Sequence, residues 1–213
     1  MQEDPALNPA TFWRLDGEAL WLQGGAGNKP SCASCHGAGA DAMRGVALGF
    51  PKRVAGQLLN LEGQINRCRS LRQGAEPFAL ESQPLLSLAV FIGAQSRGLP
   101  IAPEQATSEH LAAGRALYER RIGQLNLACT HCHDERAGAR LGGSTIPQAH
   151  PTGYPIYRLE WQTVGSLQRR LRNCMVGVRA EPFSFGAPEL VLLELYLMER
   201  ARGMLAETPA VRP

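Results

Sequence analysis

The chain has 213 residues, of which 44% are apolar and 6% aromatic, and it carries a formal net charge of +3 at pH 7. This charge is too small to indicate nucleic acid, and no run of Lys and Arg interleaved with aromatic residues supports such a partner. No stretch approaches the roughly 20 consecutive apolar residues that a membrane span needs. The most apolar segment, Leu190 to Met198, contains Glu194. The composition therefore predicts a soluble protein with no nucleic-acid partner and no membrane span.

The first motif along the chain is Cys32-Ala33-Ser34-Cys35-His36, and its pattern recurs as Cys129-Thr130-His131-Cys132-His133. The pattern C-x-x-C-H is the signature of covalent attachment of a c-type haem. The two thiols can both reach the vinyl groups of one porphyrin, while the adjoining imidazole, His36 or His133, meets the iron from one face. The sequence therefore predicts two covalently bound haem c groups.

Paired cysteines also allow a zinc site, a redox dithiol or a disulfide framework. None of these requires a histidine directly after the second cysteine, and here that histidine is present twice. Haem attachment is therefore favoured. Because bacteria attach c-type haem outside the cytoplasmic membrane, the motif predicts a periplasmic protein. The first residues, Met1 to Pro5, have neither a basic nor an apolar signal region, so we expect a chain whose signal peptide is absent.

Each haem motif is followed by a short segment with helical periodicity that ends at a further cysteine. Leu61, Ile65 and Cys68 follow an i, i+4, i+7 pattern, and the segment from Leu167 to Cys174 repeats it. Each cysteine thus falls on the apolar face of a predicted helix. We expect this side of the helix to face the haem.

Three roles compete for Cys68 and Cys174. A buried free cysteine can act as a small hydrophobic residue, and the two could form a disulfide in an oxidising compartment. Their equivalent positions, one downstream of each haem motif, favour axial thiolate ligation at both irons, which predicts low reduction potentials. Methionine competes poorly as a ligand, because Met43 and Met175 each lack a counterpart in the other half.

Each half then ends in a predicted helix. The segments Pro84 to Gly98 and Pro188 to Gly203 carry matching apolar residues, with Pro suited to the first turn and Gly to the stop after the last. The residues between the halves, Leu99-Pro100-Ile101-Ala102-Pro103, predict a stiff non-helical linker.

The two halves are related by internal duplication. Superposing Cys129 on Cys32 brings Gly114 onto Gly17, and, with small insertions, Tyr154-Pro155 onto Phe50-Pro51. We therefore expect a mainly α-helical protein of two tandem cytochrome c-like domains. Residues 1–102 would hold the first haem, and residues 103–213 the second haem and the active site.

The two halves differ at the residue four positions before each downstream cysteine, which is Gln64 in the first half and Arg170 in the second. Residues i and i+4 share a helix face, about 5–6 Å apart at Cβ, so Arg170 can extend over the sulfur of Cys174. A guanidinium suits carboxylate-like or sulfonate-like oxygens and lowers the pKa of a nearby thiol. The second site therefore has a catalytic arrangement, whereas Arg169 and Arg172 are expected to be solvated charges.

The run Arg169-Arg170-Leu171-Arg172-Asn173-Cys174, followed by Val178-Arg179-Ala180-Glu181-Pro182, resembles the SoxA family when it is taken with the two C-x-x-C-H motifs and the two further cysteines. SoxA is the dihaem subunit of the SoxAX cytochrome of bacterial sulfur oxidation. The resemblance covers nearly the whole chain. It implies a two-domain, mainly helical periplasmic cytochrome bound to the monohaem cytochrome SoxX.

The resemblance also implies L-cysteine S-thiosulfotransferase activity. In that reaction thiosulfate is joined oxidatively to a cysteine of the carrier SoxYZ, and two electrons pass through SoxX to a cytochrome c acceptor. By the family pattern, Cys174 is both distal ligand and persulfide-bearing intermediate, and Arg170 holds the anionic substrate. The first haem, with Gln64 in place of an arginine, is expected to be a structural relic or a slow relay.

The remaining histidines, His110, His131 and His150, are expected not to bind iron, because His36 and His133 hold the motif positions. The glycine-rich segment from Ala137 to Gly153 predicts a loop that packs on a haem edge.

Two other functions fit the same motifs. One is a thiosulfate dehydrogenase that couples two thiosulfates to tetrathionate without a carrier protein. The other is a dihaem electron-transfer module that performs no bond chemistry.

Overall fold

The computed structural model describes residues 1–4, 6–24, 28–39, 41–104 and 107–213, and this part of the chain is mainly helical, as expected. The helices are α1 Thr11–Leu22, α2 Cys32–His36, α3 Leu61–Arg72, α4 Gln83–Ala94, α5 Ser108–Glu119, α6 Cys129–His133, α7 Leu167–Gly177 and α8 Pro188–Arg200, with a 3₁₀ helix at Val46–Gly49. No described helix combines the length and the apolar character needed to cross a membrane.

Short strands, which were not predicted from the sequence, lie between the helices. They are β1 Lys52–Val54, β2 Gln57–Leu59, β3 Arg140–Leu141, β4 Ser144–Thr145, β5 Ile156–Arg158, β6 Thr163–Gly165 and β7 Val211–Arg212. The first two pairs are antiparallel hairpins, and β5 is the centre of a sheet in the order β6-β5-β7. In this sheet β7 runs parallel to β5, so the last strand of the chain pairs with a strand in the middle of the second half.

The helices that carry the two further cysteines begin in the same way. The Asn60 side chain accepts a hydrogen bond from the Gly63 N–H at 2.9 Å at the start of α3, and the Ser166 hydroxyl accepts one from the Arg169 N–H at 3.1 Å at the start of α7. Such N-caps satisfy amide donors that the first turn leaves unpaired. The two predicted helices are therefore confirmed.

The predicted terminal helices of the two halves, α4 and α8, are also present. Each has its proline in the first turn. Gly98 and Gly203 follow the helices with φ of 78° and 83°, a left-handed conformation that glycine adopts without steric cost.

Both halves repeat one helix packing, α1 on α4 and α5 on α8. At Gly17 an added Cβ would lie 2.1 Å from the Ser87 carbonyl oxygen, and at Gly114 it would lie 2.4 Å from that of Leu192. These two glycines let the backbones of the paired helices approach closely. Their correspondence in the sequence therefore has the same structural cause in both halves.

The two halves share part of their core. Leu86 and Val90 of α4 pack in one buried cluster with Tyr157 and Val164 of the second half. The linker is paired rather than free, because the Ile101 N–H donates to the Met204 carbonyl at 2.8 Å. The boundary near residue 102 stays a prediction, and the packing crosses it.

Candidate haem sites

The first C-x-x-C-H motif opens onto a cavity of about 440 Å³. Cys32, Cys35 and His36, which belong to α2, line the cavity together with Cys68 of α3. The structure thus brings together the four residues that the sequence assigned to the first haem.

The composition of this cavity fits a haem. Its volume lies within the ~300–1,000 Å³ of typical small-molecule pockets. Its apolar lining includes Trp21, Val46, Phe50, Leu61, Ile65, Leu88 and Ile92. Three cations, Lys52, Arg69 and Arg72, also line it and suit the propionate groups of a porphyrin.

An aromatic residue from α1 holds the first motif. The Trp21 ring lies 5.6 Å from the His36 ring between centroids, and its Nε1–H donates to the Gly37 carbonyl at 2.9 Å. These contacts fix the backbone directly after the motif and limit the rotation of the imidazole.

The sulfur of Cys68 has a hydrogen-bond donor. The Gln64 Nε2–H donates to Cys68 Sγ at 3.1 Å, as the i and i+4 spacing on α3 predicts. Met43 lines the same cavity. In the second half, by contrast, Met175 is buried in the core beside Tyr118.

The second motif forms α6, and its histidine is oriented by a backbone group. The His133 Nδ1–H donates to the Pro147 carbonyl at 2.7 Å. Histidine ligands of metals commonly make such a hydrogen bond, which fixes the tautomer and leaves the other nitrogen available to the metal. This geometry fits His133 as an iron ligand.

A polar network ties the second motif to α8. Asp134, directly after His133, accepts hydrogen bonds from the Tyr118 hydroxyl at 3.0 Å and from the Arg200 guanidinium at 2.6 Å. This network cannot be predicted from the spacing of the motif residues. The position of Asp134 beside the motif was the only available signal.

Cys174 is close enough to the second motif for its charge to affect the pKa of Cys129. Burial raises the pKa of Cys129 to about 11, and the charge of Cys174 adds to this increase. Burial also raises the pKa of Cys174, an increase that Arg170 opposes and Cys132 reinforces. Arg170 thus lowers the pKa of Cys174, as predicted, but burial has the larger effect and the net pKa is raised.

Arg170 differs from its arginine neighbours on α7. Within the described residues, its side chain has no hydrogen bond or ion pair, so its donors are open to a ligand. Arg169 instead lies 3.8 Å from the Glu81 carboxylate, and the Arg172 guanidinium lies over the Phe185 ring at 4.4 Å. The expectation that these two are solvated charges is wrong, because both are held by packing.

Two further side chains, Arg158 and Tyr154, interact electrostatically with this site, and the sequence motifs did not predict them. Arg158 is 8% exposed and forms an ion pair with Glu160 at 2.8 Å. Its positive charge acts to lower the pKa of Cys174. Burial raises the pKa of Tyr154 to about 12, and Arg170 and Cys174 also act on it. The repeat could have identified Tyr154, because its counterpart Phe50 lines the first cavity.

Two of the other three histidines, His110 and His131, have side-chain partners of their own. His131 accepts the Ala128 N–H at 2.8 Å through Nδ1, and its Nε2 lies 3.1 Å from the Arg121 guanidinium. His110 Nδ1 lies 3.0 Å from the Thr107 hydroxyl. Burial lowers the pKa of His150.

The predicted loop from Ala137 to Gly153 is partly ordered as the β3–β4 hairpin. Its Pro147 carbonyl contacts His133, so this segment packs beside the second motif.

All six cysteines are free, so Cys68 and Cys174 do not form a disulfide. Within the described ranges, no group of three or more His, Cys, Asp or Glu side chains is arranged to hold a metal ion, as a structural zinc site would require.

The fold and the paired motifs define a c-type cytochrome. The family model for the SoxA/TsdA cytochrome c domain matches residues 16–101 and 113–205. The L-cysteine S-thiosulfotransferase subunit SoxA of Rhodovulum sulfidophilum is 34% identical over 219 residues, covering 100% of this chain and 75% of that protein. The subunit of the same name from Pseudaminobacter salicylatoxidans is 35% identical, covering 99% of this chain and 76% of that protein.

A solved structure agrees with these relatives. The crystal structure of SoxXA from P. pantotrophus superposes with a TM-score of 0.92 at 30% identity, covering 97% of this chain and 79% of that chain. The chain belongs to the SoxA family.

The family confirms three expectations. The helical cytochrome c fold is present, the cytochrome c domain implies haem c, and the names of the relatives agree with the expected transferase class. The family model matches the chain in two segments, in agreement with the duplication.

Proposed function

We propose that this chain is the dihaem subunit of a periplasmic L-cysteine S-thiosulfotransferase. It joins thiosulfate to a cysteine of a SoxYZ carrier and acts with a SoxX-like monohaem cytochrome. The names of the relatives and the SoxXA neighbour support this proposal. The observation that carries it is the electrostatic interaction of Cys174 with the second haem motif, together with the guanidinium of Arg170 on the same helix, which has no partner among the described residues.

The haem ligands follow from the two sites. His36 and Cys68 would ligate the first iron, and His133 and Cys174 the second. When bound, the haem supplies a one-electron acceptor beside the sulfur. The thioether bonds of Cys32 and Cys35, and those of Cys129 and Cys132, would keep it in place during turnover.

The residues of the second site bind and orient the anion. Arg170 donates hydrogen bonds to the sulfonate oxygens of thiosulfate, because a guanidinium presents a planar set of donors to such oxygens. Arg158 adds positive charge in a buried position where it is weakly screened. The outer sulfur of thiosulfate then points towards Cys174.

The reaction is balanced by two electrons. The outer sulfur of thiosulfate forms an S–S bond with the Cys174 thiolate, and the two electrons released pass one at a time to c-type cytochrome acceptors. A thiolate of the SoxY subunit then attacks the outer sulfur of the bound thiosulfate and displaces the Cys174 thiolate. This leaves a cysteine S-thiosulfonate on the carrier. With a persulfide on Cys174, its terminal sulfur forms the same bond and the balance is unchanged.

The test is an assay with purified haem-loaded complex, thiosulfate, oxidised cytochrome c and either SoxYZ or buffer. We expect cytochrome reduction that requires the carrier, together with a thiosulfonate adduct in the mass spectrum of SoxY. Tetrathionate formed at the same rate without the carrier would instead identify a thiosulfate dehydrogenase. Haem reduction with no new sulfur–sulfur bond would identify an electron-transfer module.

A further inference from the structure

The first haem cavity contains an amide whose only side-chain partner in the described chain is a sulfur. The Gln64 Nε2–H donates to Cys68 Sγ at 3.1 Å, and Gln64 lines the cavity. Its other amide atom, Oε1, is buried and accepts no hydrogen bond within the described residues. A buried polar atom without a partner is unfavourable and calls for an explanation. Among the described residues, the contact with Cys68 is the one hydrogen bond of this amide.

The contact has a direct effect on a sulfur that binds iron. A ferrous centre leaves more negative charge on a thiolate ligand than a ferric centre does, so a hydrogen-bond donor at the sulfur stabilises the reduced state more. Hydrogen bonds to sulfur ligands are among the factors that set the potentials of iron centres. The donor also opposes protonation and loss of the ligand, because it satisfies a lone pair that a proton would otherwise occupy.

The second site has a different side chain four residues before its cysteine. There the corresponding position is Arg170, which adds a full charge and donors that are not used by the described residues. Gln64 adds a dipole and directs its donor to the sulfur itself. The first site therefore stabilises its ligand without attracting an anion.

We propose that Gln64 is a positioning residue that raises the reduction potential of the first haem through its hydrogen bond to Cys68 and keeps that sulfur on the iron. The potential of the first haem is then set in part by its own helix, α3. This inference rests on the proposed ligation of the first iron by Cys68.

The test compares three variants of the full haem-loaded chain in complex with its monohaem partner. Gln64→Leu removes the donor, whereas Gln64→Arg restores a donor with added charge. The matched control is Gln73→Leu, because the Gln73 amide lines the same cavity but donates to the Pro30 carbonyl at 2.8 Å and lies 4.0 Å from the sulfur of Cys32, a tethering thiol. The readouts are spectroelectrochemical titration of each haem and low-temperature electron spin resonance of the ferric state.

We expect Gln64→Leu to shift the ferric-to-ferrous ratio of the first haem at least tenfold towards ferric, which corresponds to about 59 mV for a one-electron couple. Gln64→Arg should return the potential to the unmodified value or above it, and Gln73→Leu and the second haem should stay unchanged. An unchanged first-haem potential in Gln64→Leu, or an equal shift in Gln73→Leu, would overturn the inference.

The spin-resonance spectrum of the unmodified protein tests separately whether Cys68 ligates the first iron. If its first haem lacks the thiolate signature, the ligation by Cys68 is wrong and the inference fails with it. A normal Gln64 effect in a protein without transferase activity would instead support the inference and contradict the proposed function.

Discussion

Glu62 and Glu194 bring two carboxyl groups from different halves of the chain to one cavity of about 80 Å³. Asn60 donates a hydrogen bond to the Glu194 carboxylate at 3.2 Å. Burial raises the pKa of Glu62 to about 7, and burial and the charge of Glu62 together raise the pKa of Glu194. The contact between the halves is therefore most favourable when this pair holds a proton.

The raised pKa values of Glu62 and Glu194 make stability depend on pH. An unfolded Glu titrates near 4.3, so between about pH 4.3 and 7 the folded state binds more protons than the unfolded state. The free energy of unfolding should fall as the pH rises through this window. Glu194→Gln should flatten the profile and raise the melting temperature at pH 7, as measured by thermal denaturation from pH 5 to 8. The exposed Glu181→Gln is the control, and a slope that persists unchanged in Glu194→Gln would contradict this account.

Arg170→Ala should lower kcat/KM for thiosulfate by about 10- to 100-fold, because hydrogen bonds to charged groups contribute about 1.5–3 kcal/mol. Both haems should still be incorporated, since the Arg170 side chain has no partner in the described structure. The control is Arg179→Ala, which removes an exposed guanidinium from the loop after α7. Steady-state cytochrome reduction measures the effect, and activity within twofold of the unmodified protein would exclude Arg170 as the anion-binding residue.

The sequence predicted the helices of both halves because their signals are local. Pro84 and Pro188 indicate first turns, and the spacing of Cys68 and Cys174 after apolar residues places them on helix faces. The contact of Gln64 with Cys68 follows from the same i and i+4 geometry.

The sequence did not reveal the contacts that form between distant segments. Arg169 was expected in solvent, but Trp161 and Glu81 approach it from other parts of the chain. The parallel pairing of β7 with β5 likewise joins two segments that lie far apart in the sequence. The net pKa of Cys174 depends on its degree of burial, which residue spacing does not report.

Substitution of the two downstream cysteines by methionine should affect one haem at a time. A thioether ligand lacks the negative charge that stabilises ferric iron, so it raises the potential. Cys174→Met should therefore raise the potential of the second haem and abolish turnover, whereas Cys68→Met should raise that of the first and leave measurable activity. Redox titration of each variant, together with the transferase assay, distinguishes the two sites. Loss of turnover only in Cys68→Met would reverse the assignment of the active site.

The close helix packing at Gly17 and Gly114 predicts equal sensitivity in the two halves. An added Cβ would lie 2.1 Å from the Ser87 carbonyl oxygen or 2.4 Å from that of Leu192, so the helices must move apart. Gly17→Ala and Gly114→Ala should each reduce the free energy of unfolding by about 1–3 kcal/mol, the usual cost of overpacking. Gly177→Ala is the matched control, because its added Cβ would meet no atom within 4 Å in the described structure apart from its chain neighbours and its own helix backbone, and alanine favours a helix. Chemical denaturation measures all three, and a stability of Gly17→Ala equal to that of Gly177→Ala would show that α1 and α4 do not pack this closely.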